Sequence, residues 1–279
     1  QRLYRTTDNG GTWETVAPFG ASKLAVGNGV VYALTASGYH SFGTVVRSLD
    51  NGITWETIDD RLPEPLAARS AVDIKTDGDE VWVSFSETFS FHGQSNWVNG
   101  GVIRSTDRGA SWRDVSSGLP SDGITYVPTH SFVLTANGMI ASTSSGIYRS
   151  TSRNGGWSAI GSNGLPVSPM GYVQATITDV FNGRPMARSS HRLYTSDNNG
   201  GSWNVLTEVD SAAGEYLSDV SVVVDRLYVL IGQWNGTTNA YRLVRIGADG
   251  ATEDITSTLP ASTILTRFIA DNRYLYAGS

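Results

Sequence analysis

The chain has no cysteine, so disulfides, thiolate nucleophiles and cysteine-held metals are all excluded. Lysine is almost as scarce, with Lys23 and Lys75 the only two. Arginine supplies the remaining positive charge, and the net charge is −6. No arginine-rich stripe of the kind nucleic acid requires is visible, so no nucleic-acid partner is expected. No apolar run approaches the ~20 residues needed to span a bilayer, so no membrane insertion is expected either. No linker, low-complexity tract or leader is visible, and one domain over residues 1–279 is expected. A start inside a repeat is compatible with an upstream targeting segment. No His, Asp or Glu group has metal-ligand spacing, and neither a metal nor a cofactor is expected.

What the chain has in quantity is glycine, aromatics and a recurring phrase. The phrase reads Ser105-Thr106-Asp107-Arg108-Gly109-Ala110-Ser111-Trp112. Copies begin at Thr6 and Ser48, and looser ones at Ser150 and Ser196, spaced by 42 to 57 residues. A unit recurring at such spacing signals a stacked or circular array. Within the phrase, glycine supplies a positive φ, and the carboxylate accepts from nearby turn amides. The tryptophan opens the next strand with a large apolar face. Asp8, Trp13, Asp50, Trp55, Asp107 and Trp112 hold the key positions. Trp157 ends a fourth copy in which Ser152 replaces Asp and Asn154 replaces Gly. Asn198 and Trp203 mark the fifth. All are read as structural turn residues whose polar groups are used locally.

The phrase resembles the Asp box, or BNR repeat, S-x-D-x-G-x-[ST]-W. The resemblance implies a β-propeller with each box between the third and fourth strands of a blade. Runs of Val, Ile, Tyr, Trp and Thr cut by Gly, Asn, Asp and Pro give blades over 23–58, 66–115, 123–160, 170–206 and 216–255. Residues 263–279 match first and second strands, and 1–16 match third and fourth. The expected fold is therefore all-β: a six-bladed propeller of four-stranded antiparallel blades, closed by N- and C-terminal strands sharing one blade. Leu-Pro recurs after the fourth strand at Leu62, Leu119, Leu165 and Leu259. Arg5, Arg47, Arg104 and Arg149 occupy equivalent third strands and are read as local structural partners.

Binding groups are expected on the face opposite the boxes, where loop length varies. The longest loop runs from Phe85 to Gly100 and offers Phe91, His92 and Trp97. Tyr39, His40, His191 and Trp234 fall in equivalent loops, and Arg267 lies on an inner strand. Rings beside amides suit a sugar, which has a CH face and a hydroxyl edge. Asp73, Asp179 and Asp219 recur on inner strands; a pair of them across a cleft has the chemistry of a glycosidase acid and base. Resemblance to sialidases implies an Arg-Ile-Pro motif, three carboxylate-gripping arginines, and a tyrosine nucleophile with a glutamate partner. Arg-Ile-Pro is absent here, although Glu215 and Tyr216 are adjacent. Other Asp-box propellers include xyloglucan-cleaving hydrolases, sortilin-type receptors and photosystem assembly factors.

The leading expectation is a non-catalytic binding or scaffold propeller that recognises a glycan or protein. A sialidase-like glycoside hydrolase and a protein-assembly factor are the alternatives. A monomer or a module of a larger protein is expected, in a secreted, periplasmic or cell-surface location.

Overall fold

The computed structural model describes residues 3–5, 14–35, 44–58, 70–86, 88–91, 94–97, 100–121, 123, 126–223, 226–247, 251–256, 267–270 and 275–278. They fall into two compact units, Gln1–Ala159 and Ile160–Ser279. In the first unit, β1 (Leu3–Arg5) and β2 (Glu14–Ala17) form a two-stranded ladder. A four-stranded blade follows in chain order: β3 (Ala21–Gly27), β4 (Val30–Thr35), β5 (Val45–Ser48) and β6 (Glu56–Thr57). The next blade begins with β7 (Ala71–Asp77) and β8 (Glu80–Phe85). A separate hairpin then intervenes, made of β9 (Thr88–Phe91) and β10 (Gln94–Trp97). β11 (Gly101–Ser105) and β12 (Arg113–Asp114) complete that blade. β13 (Thr129–Thr135), β14 (Gly138–Thr143), β15 (Gly146–Ser150) and β16 (Trp157–Ile160) form another.

The second unit holds β17 (Thr176–Phe181), β18 (Arg184–Arg188), β19 (Arg192–Thr195) and β20 (Asn204–Glu208) as one blade. Its other blade is β21 (Glu215–Val223), β22 (Arg226–Trp234), β23 (Asn239–Ile246) and β24 (Thr252–Asp254). β25 (Arg267–Ala270) pairs with β26 (Leu275–Gly278).

The six-bladed expectation is overturned. Among the described residues, five four-stranded blades are present, not six, and the terminal strands do not share a sheet. The ladders β1–β2 and β25–β26 are separate two-stranded sheets. The physical reason is that a repeat period counts strands but does not choose hydrogen-bond partners. Four strands of the right composition make a blade only when their edges pair. The long loop expected over 85–100 is also corrected, because its backbone pairs with itself as β9–β10.

The blades' apolar runs follow from packing on both faces. In β8, Val81, Val83 and Phe85 join a cluster with Tyr32, Leu34 and Val45 of the preceding blade. Trp82, pointing the other way, packs with Phe132, Met139 and Trp157 of the following blade. Strand alternation thus feeds two cores, so consecutive positions are apolar. In the second unit, Met186 and Leu193 pack against Leu217, Leu227 and Ile231.

The first strand of each of the five four-stranded blades carries a pairing irregularity near its start. They fall between Ala21 and Lys23, Ala71 and Asp73, Thr129 and Ser131, Ile177 and Val180, and Leu217 and Asp219. Bulges of this kind re-aim side chains and deepen the local twist.

Candidate functional site

The Asp boxes spend their polar groups on themselves. In the second box, Gly52 N–H donates to Ser48 Oγ at 2.7 Å and Thr54 N–H to Asp50 Oδ1 at 2.8 Å. Thr54 Oγ1 donates to Asp50 Oδ2 at 2.6 Å. Ser105, Asp107, Gly109 and Ser111 repeat the pattern at 2.6–2.8 Å. Hydrogen bonds from Thr54 and Ser48 hold the Asp50 carboxyl down to about 2. Burial pushes Asp107 up, but bonds from Ser111 and Ser105 outweigh it and leave that carboxyl at about 2 as well. In the fifth box, Asn198 Oδ1 accepts from Ser202 N–H at 2.8 Å, and its amide Nδ2 donates to Ser202 Oγ at 2.9 Å. In the fourth, Gly155 takes the left-handed role at φ 94°. Trp157 Nε1 donates to Val115 O of the preceding blade at 2.8 Å. Asp8 and Trp13 lie outside the described residues.

The arginines are joints. Arg5 Nη1 donates to Asn51 O in the next blade's box at 2.6 Å, and Arg47 bonds Arg108 O in the same way. Arg104 bonds the Asn154 side chain of the fourth box. Arg47 also pairs with Glu56 at 2.6 Å, and Arg104 with Glu80.

The inner-strand carboxylates are equally committed. Asp73 is buried; its Oδ2 accepts from Ser131 Oγ at 2.9 Å and Phe132 N–H at 3.2 Å, while Oδ1 caps Ile74 N–H at 3.0 Å. Asp179 caps Val180 N–H at 2.8 Å and accepts from Val222 N–H at 3.2 Å. Asp219 caps Val220 N–H at 3.0 Å. These are bulge residues, and Asp73 and Asp179 also fasten each inner strand to the next. Glu215 and Tyr216 cannot act as a nucleophile and its partner, because consecutive strand residues face opposite sides. His130 sits in a bulge between Ser86 Oγ at 3.1 Å and Ser144 Oγ at 3.3 Å. Desolvation lowers its pKa.

Among the expected binding residues, Tyr39, His40 and His92 lie outside the described residues. Phe91 pairs with Gln94, and Trp97 with Thr88, in the β9–β10 ladder. Arg267 pairs with Gly278. The structure brings two of the expected loops together in the second unit. Leu217 N–H donates to Ser190 O at 2.7 Å and Val209 N–H to His191 O at 3.0 Å. Trp234 N–H donates to Gly214 O at 3.0 Å. The loops at 189–191 and 233–235 thus flank one 3-10 turn, Ser211–Ala213, capped by Asp210 Oδ1.

Beyond the end of β24, strands β21, β22 and β23 carry an aromatic shelf. Tyr216, Gly232 and Tyr241 lie in one cross-strand row and face the same side. Trp234 and Asn239, paired two positions along, share that face. A Cβ on Gly232 would fall 2.3 Å from Tyr216 Cζ, so only glycine lets that ring lie across the strand. Tyr216 Oη donates to Asn239 Oδ1 at 3.3 Å. Burial, then the hydrogen bond with Tyr241, raises the Tyr216 pKa and keeps the phenol neutral. Trp234 is 50% exposed. On the reverse side, Glu215 Oε1 accepts from Arg242 Nη2 at 2.8 Å, and this bond keeps its carboxyl below the usual range. A second exposed feature is the connector at 167–173, closed by Ser168 N–H to Tyr172 O at 2.8 Å. It presents Met170 at 85% and Tyr172 at 59% exposure. Sequence reasoning singled out Trp234 but missed Asn239, Tyr241, Met170 and Tyr172.

Blades of this kind define a β-propeller architecture. No family model and no curated protein matches the sequence. Solved structures do match. YCF48 bound to D1 peptide superposes with a TM-score of 0.52 at 19% identity, covering 86% of this chain and 70% of that one. A chain of the nidogen/laminin complex gives 0.54 at 13% identity, covering 90% and 84%. An ancestral GH74 enzyme gives 0.50 at 15% identity; the match covers 99% of this chain but 49% of that enzyme. These likenesses show a shared propeller fold, common to binding proteins and enzymes. Among the described residues, no helix is long and apolar enough to cross a membrane.

Proposed function

We propose that the chain is a non-catalytic binding propeller that takes its ligand on the loop face opposite the Asp boxes. One contrast carries this reading. Asp73, Asp179 and Tyr216 have their oxygens engaged in bonds that hold strands and side chains in place. By contrast, Trp234, Met170 and Tyr172 stand open to solvent. These three side chains are large and uncharged, and such groups recognise shape and hydrogen-bonding pattern. A glycan or a protein fits such a face. The apolar tip at Met170 and Tyr172 favours a protein-assembly role as the second reading, since exposed large side chains commonly mark protein contacts. A secreted, periplasmic or cell-surface location accompanies the proposal.

The test joins two assays on one preparation. Chromogenic aryl glycosides should show no turnover above the buffer blank. Glycan and peptide arrays should give signals that fall when Trp234→Ala and Met170→Ser are introduced together. Turnover abolished by Asp73→Asn, or array binding indifferent to both surface changes, would overturn the proposal.

A further inference from the structure

We infer that the Trp234 shelf is a subsite for a neutral pyranose; the inference rests on the binding reading above and assigns it a ligand class. The argument begins with the indole. Trp234 ends β22 half exposed, flanked by a turn whose residues 235–238 are all exposed. A flat apolar ring held at a strand end and open on one side matches the CH face of a sugar ring. A sugar also needs hydrogen-bond partners around its rim. Asn239 pairs with Trp234 across the ladder, on the same face. The Tyr216 and Tyr241 hydroxyls stand beside it, with Tyr216 bonded to Asn239 Oδ1. Amide and phenol together give both donors and acceptors, as ring hydroxyls require.

Charge narrows the ligand. The nearest charged side chains on these strands, Glu215 and Arg242, lie on the reverse face and neutralise each other. Asp210 is occupied by the amides of Ala212 and Ala213. On the shelf's own face the nearest cation along β23 is Arg245, four positions from Tyr241 and paired with Glu253, so a neutral ring is the better match than a sialic or uronic acid. Pre-organisation supports a built surface. Gly232 seats the Tyr216 ring, and Gly214 O accepts from the Trp234 backbone N–H, so the phenol and the main chain that carries the indole are placed before a ligand arrives.

The experiment is a saturation-transfer NMR titration of the whole chain with cellotetraose, xylotetraose, mannotetraose and tetragalacturonate. At least one neutral tetrasaccharide is expected to bind, and the tetragalacturonate to bind more weakly. Trp234→Ala should weaken binding roughly tenfold, the scale of a lost aromatic stack. Asn239→Ala is the second variant, expected to alter preference among the neutral sugars. Circular dichroism confirms that both variants fold. No binding by any neutral sugar, stronger binding of the acidic one, or binding unchanged in Trp234→Ala overturns the sugar assignment. The wider binding reading then stands or falls separately on its array signals with the Trp234 and Met170 changes.

Discussion

In the second and third boxes a single carboxylate decides the response to acid. Asp50 and Asp107 titrate at about 2 in the fold, below the ~3.9 of an unfolded aspartate. A lowered folded value means that the stabilisation is complete above pH ~4 and is lost as pH falls through about 2. The fifth box makes the same turn with Asn198, whose amide keeps its bonds at any acidity. Carbon-13 NMR of the Asp50 and Asp107 carboxyls should therefore give midpoints near 2. Asp107→Asn should flatten the loss of stability between pH 4 and 2 in urea unfolding; an unchanged acid limb would contradict it. These turns were legible in the sequence, because all their partners lie within eight residues of one another. The Tyr216–Gly232–Tyr241 row was not legible. Its alignment depends on strand register, and the irregularity between Leu217 and Asp219 shifts that register where no local pattern records it.

At the scale of the element, the Leu-Pro signature proves to be half of a joint. Gly164 precedes Leu165, and a Cβ there would lie 2.0 Å from Trp203 O, with φ at 90°. The neighbouring Asn163 O accepts the Trp203 N–H at 2.8 Å. Gly118 repeats the arrangement against the Trp157 backbone. The glycine lets the connector press onto the box tryptophan, and the buried leucine anchors it. Gly164→Ala should cost about 2 kcal/mol or more, since it adds a steric clash to an unfavourable φ. Gly183 has a similar φ of 74° but open space around it, so Gly183→Ala should cost less. Urea midpoints of the two variants check the order. The sequence showed the Leu-Pro recurrence as a spacing marker, but the tryptophan it packs on comes from a different turn, so its purpose stayed hidden.

For the whole molecule, composition and period made the blades legible and left the count wrong. The termini supplied strands of suitable character, yet β1–β2 and β25–β26 each pair as an isolated ladder. A two-stranded ladder has little cooperative support compared with four strands. Native-state hydrogen exchange should show the slowest amides in β8, β14 and β22, and faster exchange in β1–β2 and β25–β26. Equal protection throughout would contradict this. The buried, two-sided packing of β8 and β14 is the basis for the expected ranking.

The arginine joints have an evolutionary consequence. Arg5 and Arg47 each grip a main-chain carbonyl in the following box, and each of these two strands leads into a box of its own. The segment from Val45 to Trp55 therefore carries both a plug, Arg47, and a socket, Asn51 O. Duplicating a segment of this design leaves a matching pair at the seam, with no redesign of the neighbours. Copy number can drift in such a lineage while the individual module stays unchanged.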